Sequence, residues 1–97
     1  MVSITIKQLK NILKDKKLSD KEFGKLTRRL LFIDVGVVGL RYGYITNNDG
    51  EYIRMNNSEI MKHLEISKHR FYKHFNNGLK GMLHNDRFGN ILDKYVD

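Results

Sequence analysis

Six side chains within one short stretch are of types that recognise a polyanion: Ser67, Lys68, His69, Arg70, Tyr72 and Lys73. Lysine and arginine neutralise phosphates, histidine and serine donate hydrogen bonds to them, and a tyrosine can reach a phosphate or a thymine methyl group. Residues 67–80 carry four Lys/Arg and no Asp/Glu, so no carboxylate competes for these cations within the segment. Phe71 and Phe75 are interleaved with them, one helical turn apart. That spacing turns both rings to one side and leaves the basic and polar side chains on the other.

The elements that must hold this stretch can be read from Asn56 onward. Ile60 and Leu64 also lie one turn apart, and Ile66 falls in the connector before Ser67. Two short helices sharing one apolar wedge is the pattern of a helix-turn-helix, expected over residues 56–79. Asn56 with Glu59 three residues on approximates a capping box, and Ser67 suits an N-cap whose hydroxyl accepts from the Arg70 N–H. Glu65 occupies the bend, where many such motifs place glycine.

The whole chain of 97 residues has a formal charge of +7 and a pI near 9.7, with nine Lys/Arg against three Asp/Glu in residues 1–30. Clustered positive charge is the electrostatic footprint of a nucleic-acid partner first and an anionic membrane second. The longest apolar run, Leu30 to Leu40, contains Asp34 and falls well short of the ~20 residues that span a bilayer. The start, Met-Val-Ser-Ile-Thr-Ile-Lys, lacks the apolar segment of a signal peptide. With no cysteine there is no disulfide framework, and a cytoplasmic setting without membrane association is expected.

Catalysis finds little to work with. His63, His69, His74 and His84 are the only histidines, and His69 and His74 are five apart, off the i, i+4 spacing of helical metal ligands. The serines at 3, 19, 58 and 67 read as caps or helix starts, and the acids occur singly. No nucleophile–base pair, metal site or cofactor is expected. Single-stranded nucleic acid requires exposed aromatics along a basic groove, for which Tyr72, Phe88 and Tyr95 are available.

Around the motif, Thr5 with Gln8 predicts a basic N-terminal helix within residues 1–18, striped by Ile6, Leu9, Ile12 and Leu13. Ser19 with Glu22 predicts a second, long helix in which Phe23, Leu26, Leu30, Ile33 and Val37 form one buried face. Gly36, Gly39 and Gly43 make its end a helix stop or a close crossing. Tyr44–Thr46 and Glu51–Arg54 flank Asn-Asn-Asp-Gly and predict a small hairpin. A second hairpin is expected over residues 82–96, with Arg87 at the tip of the loop Asn85–Asn90.

A helix-turn-helix followed by a β-hairpin is the order of a winged helix, and residues 58–83 with that loop resemble the winged-helix DNA-binding superfamily. Asn48–Glu51, Asn57–Leu64 and Ile66–Lys68 look like small phage- and plasmid-encoded members: repressors, replication-initiation modules and TubR-like centromere-binding adaptors. The Asn76-Asn77-Gly78 run departs from the pattern and is expected to shorten or kink the second helix. The expected fold is therefore a single α+β domain, a winged helix-turn-helix that is mainly helical with one or two small β-hairpins. The resemblance implies a homodimer on double-stranded DNA that acts as a transcriptional repressor or autoregulator, or as a partition adaptor joined to a filament-forming NTPase or a replication protein. The alternatives are a replication-initiation module and a basic protein-interaction module with an acidic partner. The expected DNA contacts are Ser67, Lys68, His69, Arg70, Tyr72, Lys73 and, on the wing, Arg87.

Overall fold

Local capping chemistry marks where the first helices begin, and the computed structural model, which describes residues 4–96, follows it. Thr5 and Gln8 close a reciprocal capping box at the head of α1 (Ile6–Lys14), which buries Leu9, Ile12 and Leu13. Ser19 and Glu22 do the same for α2 (Asp20–Leu26). After α3 (Phe32–Tyr42), Gly43 takes a left-handed φ of 78° and turns the chain toward β1 (Ile45–Thr46). β1 pairs antiparallel with β2 (Tyr52–Ile53), Ile45 opposite Ile53 and Thr46 opposite Tyr52. The carboxamide oxygen of Asn47 accepts from the backbone N–H groups of Asp49 and Glu51, and Gly50 supplies the positive φ, so this hairpin forms where the turn residues put it.

Two helices and one turn complete the chain: α4 (Asn57–Leu64), α5 (Lys68–Gly89) and a 3₁₀ turn, Leu92–Tyr95. The fold is α+β, mostly helical, with five α-helices and one two-stranded antiparallel sheet among the described residues. None of these helices is long and apolar enough to cross a membrane. α5 is the axis of the molecule and packs against each of the other four. Its inner face, Phe71, Phe75, Leu79 and Met82, meets Leu9, Leu13, Leu26, Val37, Val38 and Ile60 in the core.

The expected hairpin over residues 82–96 is absent. α5 runs for 22 residues to Gly89, because burial continues at helical steps through Phe71, Phe75, Gly78, Leu79, Met82 and Asp86. Asn90 then stops the helix at φ 50°, while the buried carboxylate of Asp86 accepts from the Leu92 N–H at 2.9 Å and starts the 3₁₀ turn. Arg87 accordingly sits in the last turn of α5 and not at a loop tip.

Asn76-Asn77-Gly78 also fails to shorten α5, since Gly78 lies at the crossing with α3. A Cβ there would fall 2.6 Å from Val38 Cγ2 and 3.0 Å from the Asp34 carbonyl oxygen. Gly78→Ala should therefore destabilise by about 1–2 kcal/mol, overpacking at the crossing outweighing the ~1 kcal/mol that alanine gains in a helix interior. A melting temperature unchanged or raised relative to the parent would refute so close a crossing.

The single long helix expected after Ser19 is broken into α2 and α3. Asn85 of α5 donates from Nδ2 to the carbonyls of Leu26 (2.7 Å) and Arg28 (2.9 Å), satisfying groups that a continuous helix would have bonded internally. Arg29 takes φ 67°, and Leu30 drops into the space that Gly81 leaves open. The break resets the helical phase, so Ile33 lies at the surface beside Leu31 and Phe32, the last 97% exposed.

The C-terminal turn is tied back to α2 by one carboxylate. Glu22 accepts from the Ser19 N–H at 2.9 Å and the Tyr95 hydroxyl at 2.6 Å, and pairs with Lys94. The Lys94 ammonium, then the Ser19 amide and the Tyr95 hydroxyl, hold its pKa at about 2, below the ordinary 4.5. A lowered folded-state pKa gives stability that is present above pH 4.5 and lost as pH falls toward 2. With Lys94 60% exposed, solvent screening reduces the term to on the order of 1 kcal/mol. Glu22→Gln should lower stability by that amount at pH 7 and flatten the acid limb of the stability profile. An acid limb identical to the parent's would remove this contact from the stability of the fold.

Candidate nucleic-acid interface

The bend between α4 and α5 is made without glycine. Glu65 closes α4 in the left-handed region at φ 54°, its backbone N–H directed at the carbonyls of Met61 and Lys62. At the other end of α4, Asn56 and Glu59 form the reciprocal capping box expected for them. Arg41 Nε donates to Asn57 Oδ1 at 2.9 Å and fixes the head of α4 to α3, so this arginine has a structural role. Ser67 accepts from the Arg70 N–H at 3.2 Å and starts α5. Its hydroxyl thus has an architectural duty, and its place is at the edge of the surface.

The first turns of α5 divide as the spacing requires. Phe71 is fully buried and Phe75 nearly so, stacked on one another with ring centroids 5.7 Å apart. Ile60 of α4 is fully buried as well, with Leu64 and Ile66 packed against the same core. Lys68, His69, Arg70, Tyr72 and Lys73 are exposed. Tyr72 meets Phe71 edge-on at 5.1 Å, which supports its ring while leaving it 42% exposed. His74 does not join this face. It is half-buried, and its Nδ1 lies 2.8 Å from the buried Asp34 carboxylate of α3, a polar contact across the helix crossing.

Arg87 is not brought to the same place. Fourteen residues beyond Lys73, it lies about 21 Å farther along the helix. Between them stands Lys80, also exposed, which the sequence reading did not single out. Steps of seven residues return to nearly the same side of a helix, so Lys73, Lys80 and Arg87 form one cationic line down the outer face of α5. The signal was present as the i, i+7, i+14 spacing, but it has meaning only when the helix is continuous to Gly89. No Asp or Glu occurs between Ile66 and Asn85, so the face is acid-free for most of its length.

This surface is suited to binding phosphates and base edges. Among the described residues no group of three or more His, Cys, Asp or Glu side chains is placed to hold a metal ion. Comparison with protein-family profiles, curated proteins and solved structures returns no match to this chain.

Proposed function

We propose that the protein binds duplex DNA, with the amino-terminal half of α5 as the recognition helix in the major groove. The observation that carries this reading is the division of that helix into a buried Phe71/Phe75 face and an exposed face bearing Lys68, His69, Arg70, Tyr72 and Lys73 with no carboxylate among them. A helix presented at the surface by a partner helix at a tight bend is the docking geometry of helix-turn-helix proteins. The expected wing is replaced by the continuation of α5, so Lys80 and Arg87 serve as backbone contacts along the helix. In this reading the domain belongs among winged-helix-like folds only through its helical part and its hairpin before α4.

A second copy would use the apolar edge at Leu31, Phe32 and Ile33, which is exposed in the single chain. A dimer with two recognition helices occupies half-sites about one helical turn apart. Its bound site then sets the biological output, promoter occlusion for a repressor or coating of a repeat array for a partition adaptor. The test is titration of duplex DNA at several salt concentrations, with footprinting of the preferred sequence. Linear weakening of log K with log salt, at about 0.9 per phosphate neutralised, supports the reading. Salt-independent or undetectable binding would refute it.

A further inference from the structure

A second basic surface lies at the far end of α5, about 30 Å from Lys68. There the loop after α2 and the last turns of α5 enclose a groove of about 570 Å³ lined by Lys25, Arg28, Arg29, Asn85, Phe88 and Ile91, with His84 alongside. We propose that this groove holds single-stranded nucleic acid, one base stacked on Phe88 and its neighbouring phosphates on Arg28, Arg29 and Lys25.

Three observations converge on this ligand. Phe88 is 82% exposed, and His84 supports it edge-on with ring centroids 5.7 Å apart, so a large apolar ring is held at the surface with room for a stacking partner. Among the described residues no carboxylate lines the groove, and Lys25, Arg28 and Arg29 take part in no ion pair. The groove is also built rather than incidental. Asn85 clamps the carbonyls of Leu26 and Arg28, and Arg29 stands at a φ of 67°, so the backbone that carries the two arginines is held in one tight turn beside α5.

A protein partner is the less suitable occupant. Protein interfaces centre on an apolar patch that excludes water, whereas the apolar lining here is one ring and Ile91 in a cationic surround. A duplex suits it poorly too, because paired bases present no free face to the ring.

The experiment measures fluorescence anisotropy of a labelled oligothymidylate of about ten nucleotides with the full chain. Phe88→Ala should weaken binding about tenfold, as expected when one base no longer stacks, at an unchanged melting temperature because the ring is exposed. The Arg28→Ala/Arg29→Ala variant should weaken binding and reduce the salt slope by about 0.7 for each phosphate it no longer neutralises. The variant with Lys68, Arg70 and Lys73 replaced by alanine should retain oligothymidylate binding, which separates this groove from the proposed duplex face. Wild-type affinity in Phe88→Ala overturns the proposal, as does failure of the Lys68/Arg70/Lys73 variant to bind oligothymidylate. Equal binding of polyglutamate with the same dependence on Phe88 overturns it in favour of an acidic protein partner.

Discussion

Replacing Phe71 with alanine should destabilise the protein by about 3–5 kcal/mol, which takes most of the margin of a parent at the low end of the ordinary range of about 5–15 kcal/mol and lowers the melting temperature of any parent by many degrees. The ring is fully buried, stacks on Phe75, and is the largest of the fully buried side chains. Removing it leaves a cavity at the centre of the α4–α5 wedge that Ile60 alone cannot fill. DNA binding should fall only in proportion to the folded fraction, so at low temperature, or with a stabilising osmolyte, the variant should recover affinity. Thermal denaturation followed by circular dichroism checks the first part. A variant that melts like the parent but fails to bind would put Phe71 on the nucleic-acid face.

The second large effect is expected from the opposite side of the same helix. Lys68→Ala, Arg70→Ala and Lys73→Ala together should leave the melting temperature within a few degrees of the parent, since all three residues are exposed and none forms an ion pair among the described residues. The triple replacement should weaken duplex binding by about a hundredfold or more at low salt, with the salt slope smaller in magnitude by about 0.9 for each phosphate no longer neutralised. Weaker affinity without a change in slope would mean base-edge contacts in place of phosphate contacts. Unchanged affinity and slope would take the head of α5 out of the interface.

What could be read from the residues alone was local. The capping pairs Thr5/Gln8, Ser19/Glu22 and Asn56/Glu59, the Ser67 cap and the Asn-Asn-Asp-Gly turn each lie within a few residues of their partners, and each forms as the spacing predicts. The inward placement of Phe71 and Phe75, with Lys68, His69, Arg70, Tyr72 and Lys73 outward, follows from helical periodicity within a single element. What required the tertiary structure was set by groups distant in sequence. Asn85 satisfies the carbonyls that end α2, more than fifty residues earlier, and so breaks what the apolar pattern presents as one helix. Gly78 and Gly81, which weaken a helix considered alone, keep α5 intact because Val38, the Asp34 backbone and Leu30 occupy the space their missing side chains leave. The continuity of α5 moves Arg87 from a loop tip into a cationic line with Lys73 and Lys80, and brings Phe88 beside Arg28 and Arg29. Periodicity and capping are short-range terms that the chain carries in its own order, whereas helix ends and the clustering of surface charge depend on which distant side chain arrives to satisfy a carbonyl or fill a gap.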